Sequence, residues 1–174
     1  MKRKTAFLAT AVLFLVALDQ ATKWLVVTRM ELYQSIPVIG EWIKLTFVYN
    51  QNGAFGLAPQ RLLPFLSTRI FFVTFTIIAA TVVFVLYFQT PSADRWTRLS
   101  LVLILGGAAG NFIDRVRLGK VVDFIDCDFP DFIMERWPVW NVADSCVTIG
   151  IAILFIITLF AKRRESHNKD NCPT

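Results

Sequence analysis

Polar positions break the long apolar runs of this chain at a few places, and those places set the expected architecture. Thr5 to Leu18 is uncharged and apolar, is interrupted by Asp19, Gln20 and Lys23, and resumes from Trp24 to Val27. Ile70 to Phe88 is an uncharged run of spanning length, Leu99 to Ile113 is a shorter one, and Ser145 to Ala161 is a fourth. A spanning helix needs roughly 20 predominantly apolar residues. The pattern therefore predicts four transmembrane helices, over residues 5–28, 66–88, 97–113 and 141–161. Gly106, Gly107, Ala108, Ala109 and Gly110 crowd the end of the third run, and small residues let helices approach closely in a bilayer.

Between the first two runs the period changes. Ile43, Leu45, Phe47 and Tyr49 alternate with Lys44, Thr46, Val48 and Asn50. Alternation argues for a half-buried strand. Asn50-Gln51-Asn52-Gly53 then supplies a turn. The expected fold is an integral membrane, mainly α protein with a small extracytoplasmic β-element. It is read as a single domain over 1–174, with the β-element over 29–62 on the membrane surface and a flexible polar tail over 163–174.

Composition supports that class. The chain is 55% hydrophobic with a mean hydropathy of +0.54, too apolar for a soluble domain of this size. The net charge of +5 does not point to nucleic acid, because the basic residues sit in short blocks beside apolar runs. That is how topology signals are distributed. The N-terminus, the Gln89 to Arg98 loop and the tail carry nine basic residues against Asp94, Glu165 and Asp170. The two long connections carry eight basic and eight acidic residues. Both termini are thus expected in the cytoplasm. A basic start before an apolar run also suits a cleaved signal peptide, but no small-x-small site follows Leu18, and an uncleaved first span is expected. Cys127, Cys146 and Cys172 have no paired spacing, so neither a disulfide framework nor a zinc site is expected.

Candidate chemistry lies in the acids. At about 1.5 Å per residue, Asp19 stands roughly 21 Å, Asp114 roughly 24 Å and Asp144 roughly 27 Å from the cytoplasmic ends of their helices. Three helices thus deliver carboxylates to one depth, near the outer rim of a ~30 Å core, and Asp123 joins them from a loop. Asp19 and Lys23, four apart, either satisfy each other or brace the site from the first helix. Asp114 and Arg115 either cap a helix exit or support the site, with Arg115 touching substrate or loop backbone. Asp126, Asp128 and Asp131 read as solvated loop charges. They lack the glycine and terminal glutamate of a calcium loop. Asp123 and Asp144 differ, because both sit in apolar frames. Two carboxylates in a partly dry site share a proton. One can activate water and the other can protonate a leaving group. A proton relay is the competing use of intramembrane acids. A non-enzymatic subunit whose charges hold partner helices is a third. Serine and cysteine catalysis have little support: no GxSxG elbow is present, and Cys146 reads as a small buried residue.

Taken together, these motifs resemble the lipoprotein signal peptidases (signal peptidase II). The matching pieces are Asp19-Gln20-x-x-Lys23, the Asn50 to Gly56 stretch, Gly106-Gly107-Ala108-Ala109-Gly110-Asn111-x-x-Asp114-Arg115, Val121-Val122-Asp123-Phe124, and Trp137-Pro138-Val139-x-Asn141-Val142-Ala143-Asp144-Ser145. They come in the family's order across nearly the whole chain. The resemblance implies an aspartic endopeptidase of the bacterial inner membrane, multi-pass, with its active site near the outer face. Its substrates would be prolipoproteins bearing a diacylglyceryl group, cut before the lipidated cysteine. Asp123 and Asp144 match the catalytic dyad. Asp19, Lys23, Asn50, Asn111, Asp114, Arg115, Asn141 and Ala143 match supporting or substrate-binding positions. No metal or organic cofactor is implied; membrane lipid is an expected partner, nucleic acid is not, and a monomer is expected. Where the family shows Asn-x-Gly-x-Ala-Phe, this chain reads Asn50-Gln51-Asn52-Gly53-Ala54-Phe55. Asn52 takes the glycine's place, which leaves Asn50, Asn52 and Gly53 all as candidates in that turn.

Overall fold

The structure is a computed structural model that describes residues 2–51, 67–128 and 137–170, with side chains described through residue 160. Its elements run α1 (Lys2–Arg29), β1 (Ser35–Ile39), β2 (Ile43–Asn50), α2 (Thr68–Gln89), α3 (Arg95–Leu118), β3 (Val121–Cys127) and α4 (Val142–Asp170). Among the described residues, four helices are long and apolar enough to cross a membrane. Their lipid-facing sides carry exposed Leu13, Phe14, Phe75, Ile78, Ile151 and Phe155, as a bilayer solvent allows. The fold is the expected one: four spanning helices and a small antiparallel sheet.

Helix boundaries follow local chemistry. Asp94 accepts a hydrogen bond from the Thr97 backbone at 3.1 Å and starts α3, as an N-cap does. Gly119 ends α3 at φ 71°, a left-handed geometry that glycine adopts without a Cβ penalty. So α3 runs five residues past the expected limit at Ile113, carrying Asp114 and Arg115 inside the helix rather than at its exit. α4 likewise continues to Asp170, through most of the segment expected as a flexible tail.

The helices meet through small residues. α3 packs along α1, α2 and α4, while α1 and α2 barely touch. A Cβ on Gly107 would collide with the Ala143 carbonyl oxygen and Val147, and one on Gly110 would stand 2.5 Å from Asp19 Oδ2. Glycine at these positions lets α4 and the acidic turn of α1 close on α3. An apolar cluster of Leu8, Tyr87, Leu101, Val102 and Leu105 fills the bundle toward the N-terminal end of α1.

The sheet has order β1-β2-β3, antiparallel throughout. β2 is the strand expected from alternation. β1 and β3 were not expected, and β3 changes the site: Asp123 lies on a strand opposite Val48, not in a loop. Phe47, Val122 and Phe124 pack with Val26 of α1 and seat the sheet on the bundle. Asp126 is a second correction. It is 2% exposed and accepts a 2.6 Å hydrogen bond from Thr46 Oγ1. The strand extends through it because β2 supplies partners as far as Cys127. Asp128 is exposed, as expected. Asp131, Asn52 and Gly53 lie outside the described residues.

Candidate active site

A cation lies at the centre of the site. Lys23 Nζ stands 2.9 Å from Asp19 Oδ2, 2.9 Å from Asp114 Oδ2 and 2.9 Å from Asn111 Oδ1. An ammonium has three donors, and all three are used. Lys23 is 3% exposed, Asp19 1% and Asp114 3%. Buried charges persist only when paired and hydrogen-bonded, and this group meets that condition. Asp19 and Lys23 therefore pair, and Lys23 also reaches Asp114 and Asn111 of α3. Gln20 completes the group, donating to Asp114 Oδ1 at 3.0 Å, Asp19 Oδ2 at 3.2 Å and the Gly110 carbonyl at 3.2 Å.

The same acids hold backbone. Asp114 Oδ2 accepts the Val122 N–H at 3.2 Å, which ties β3 to α3. Asp19 Oδ1 accepts the Ala143 N–H at 2.9 Å. Asn141 precedes α4, and its Oδ1 accepts the Asp144 N–H at 2.8 Å. Two free donors in the first turn of α4 are thus satisfied by Asn141 and Asp19. Carboxylates there are also favoured by the positive end of the helix dipole.

Two asparagines join Asp123 to Asp144. Asn141 Nδ2 donates to Asp123 Oδ1 at 2.6 Å and lies 3.1 Å from Asn111 Oδ1. Asn111 Nδ2 donates to Asp144 Oδ1 at 2.7 Å. Asn50, at the end of β2, donates to Asp123 Oδ2 at 3.0 Å. Asp123 is 1% exposed, whereas Asp144 is only partly buried. Burial, and then the neighbouring Asp144 charge, push the Asp123 carboxyl up to about 6, against the opposing pull of Asn50, Asn141 and Lys23. A pair in which one acid resists ionisation beside another can hold a single proton between them.

Over residues 11–160 the sequence matches the family model described as signal peptidase (SPase) II. The chain belongs to the signal peptidase II family. It is 40% identical over 154 residues to a lipoprotein signal peptidase of Geobacter metallireducens, covering 88% of this chain and 90% of that protein. It is 40% identical over 145 residues to the lipoprotein signal peptidase of Halothermothrix orenii, covering 83% and 90%. A bacterial membrane enzyme solved by the in meso method at 2.3 Å superposes with a TM-score of 0.75 at 31% identity, covering 97% of this chain and 94% of that one. A second, solved at 1.9 Å, gives 0.73 at 32% identity over 88% and 93%.

Within this signal peptidase II fold, Asp19, Lys23, Asn50, Asn111, Asp114, Asp123, Asn141, Ala143 and Asp144 form one connected hydrogen-bond group. Arg115 stands apart. Its guanidinium lies 4.9 Å from the Phe72 ring centre, within electrostatic reach of Asp144, Asp123 and Asp114. Gln20 is the member of the group to which sequence reasoning gave no role. Its signal was available: an amide beside Asp19 inside an apolar run has to find partners. Lys120, 3.3 Å from the Tyr49 ring centre, was also missed. Only the β2–β3 pairing brings these two together.

Proposed function

We propose that the chain is an aspartic endopeptidase that removes the signal peptide from diacylglyceryl-modified prolipoproteins, cutting before the lipidated cysteine. The observation that carries this reading is the Asp123–Asn141–Asn111–Asp144 chain of hydrogen bonds, built by a strand, a helix start and a neighbouring helix. The ionised carboxyl of the pair takes a proton from water, whose oxygen attacks the scissile carbonyl carbon. The protonated carboxyl gives its proton to the carbonyl oxygen. Collapse of the resulting diol breaks the C–N bond as a proton passes to the leaving amine. Asn50, Asn111 and Asn141 aim the carboxyls, and Lys23 with Asp19 and Asp114 fixes the elements that carry them. Asn52, Gly53 and Arg115 are assigned to substrate contact.

The excess of basic residues at the N-terminus, the α2–α3 loop and the tail supports cytoplasmic termini and a site near the outer face of the inner membrane. A substrate that stays in the bilayer then meets the pair at the depth where water is present. A proton carrier would need polar groups through the other half of the bundle. Among the described residues the packed centre of that half is Leu8, Leu101, Val102 and Leu105, and its polar contacts, Arg98 with Tyr87 and Ser100 with the Thr97 carbonyl, come from the first turns of α3 and the end of α2.

Incubating the detergent-solubilised protein with a lipidated precursor tests the reading, with unlipidated precursor as control. A shortened product from the lipidated form alone is expected. No cleavage of either form, or equal cleavage of both, would overturn it.

A further inference from the structure

An apolar groove runs between α1 and α2, from Thr5 near the start of α1 to Phe112, one residue past Asn111 on α3. α1 and α2 both pack on α3 but barely on each other, and the gap between them is a groove of about 630 Å³. Leu8, Ala9 and Val12 form one wall, Ala80 and Phe84 the other, and Leu105 and Ala109 the floor. Thr76 and Thr81, also on the wall, turn their hydroxyls back to the Phe72 and Ile77 carbonyls, so they present methyl groups. From Thr76 to Phe84 the groove runs about 12 Å along α2. One leaflet offers about 15 Å of hydrocarbon, half of a ~30 Å core.

Basic side chains lie just beyond the Thr5 and Phe84 end of the groove. Lys4 Nζ crosses from α1 to the Thr90 carbonyl at 2.9 Å, and Tyr87 OH donates back to the Lys4 carbonyl at 3.2 Å. Arg98 donates to Tyr87 OH at 2.7 Å, lies over the Tyr87 ring, and has a buried Nε with no hydrogen-bond partner among the described residues. Neither Lys4 nor Arg98 forms a salt bridge with a described carboxylate. An apolar groove with two cations just beyond one end, neither paired with a described carboxylate, matches one chemistry: an acyl chain attached to an anionic headgroup.

We propose that this groove holds a phospholipid of the leaflet opposite the catalytic pair, with its phosphate at Lys4 and Arg98 and one acyl chain between α1 and α2. A substrate signal peptide is a poorer occupant, because its positively charged n-region would face Lys4 and Arg98. The inference takes only the choice of leaflet from the proposed function; binding itself is independent of cleavage.

Native mass spectrometry of the full chain released from detergent tests it, using dioleoyl phosphatidylglycerol against dioleoyl phosphatidylcholine at equal concentration. One retained phosphatidylglycerol per protein is expected, at least tenfold over phosphatidylcholine. The Lys4→Gln/Arg98→Gln double variant should lose that preference, and Ala80→Phe, which fills the groove without touching the cations, should lose retention of either lipid. Should the double variant fail to fold, Lys4→Gln alone and Ala80→Phe decide the matter. Equal retention of the two lipids, retention unchanged by Ala80→Phe, or displacement by free glycerol phosphate would overturn the proposal. Lipid retention by an unaltered protein that fails to cleave a lipidated precursor would instead count against the proposed function and leave this inference standing.

Discussion

Asn141 donates to the Asp123 carboxylate at 2.6 Å while its own side-chain oxygen accepts the Asp144 N–H at 2.8 Å. One residue therefore caps α4 and orients the strand acid. Replacing either acid should remove chemistry and spare the fold. Asp123→Asn and Asp144→Asn are expected to lower cleavage of a lipidated precursor at least about a thousandfold. Both proteins should still elute as the wild type does on size exclusion. Normal turnover by either variant takes that residue out of the pair.

The position of Asp123 also makes stability depend on pH. Its folded carboxyl sits at about 6, above the ordinary 3.8, chiefly through burial. A raised acid keeps its full contribution below pH 3.8 and loses it as pH climbs through about 6. The loss amounts to about 3 kcal/mol. Thermal unfolding in detergent between pH 4 and pH 7 should show this decline. Asp123→Asn should flatten it, and a variant with the wild-type slope would refute the assignment. In the same window the rate should fall above pH 6 as the pair loses its shared proton.

Lys23 balances Asp19 and Asp114 with all three of its donors. Lys23→Met leaves two carboxylates buried without a cation and is expected to cost about 3–5 kcal/mol. Lys23→Arg should not restore stability, since a planar fork cannot reach three acceptors arranged around a point charge. Chemical denaturation of the three proteins in the same detergent compares them directly.

Gly107 leaves no room for a methyl group against the Ala143 carbonyl and Val147. Gly107→Ala should push the start of α4 away from α3, at a cost of about 1–3 kcal/mol. Asp144 moves with that turn, so kcat should fall more than KM changes. An active variant with full thermal stability would mean that α4 yields there freely.

Asp126 and Asp128 should now behave differently. Asp126 is buried against Thr46, so Asp126→Ala removes a buried acceptor and should cost about 1–3 kcal/mol. The exposed Asp128→Asn should be neutral within about 0.5 kcal/mol. Both should cleave normally once folded. Unfolding midpoints, measured alongside single-turnover cleavage, separate the two effects.

What the sequence determined by itself was everything that depends on composition along the chain. Four spans follow from run length, and the meeting of Asp19, Asp114 and Asp144 at one level of the bundle follows from helical rise. The candidate pair follows from acids placed in apolar frames. Strand β2 follows from the alternation of Ile43 to Tyr49. Tertiary structure decided what non-local partners decide. β3 exists because β2 offers it a ladder; its own sequence, broken by Asp123 and Asp126, carries no alternation to announce it. That pairing turned Asp123 from a loop residue into a strand residue and buried Asp126. It also brought Asn50 within 3.0 Å of Asp123, a contact between residues far apart in the chain. The cation at Lys23 shows the same limit. Its spacing from Asp19 marks a pair, but Asp114 and Asn111 reach it only because Gly107 and Gly110 let three helices close around one point.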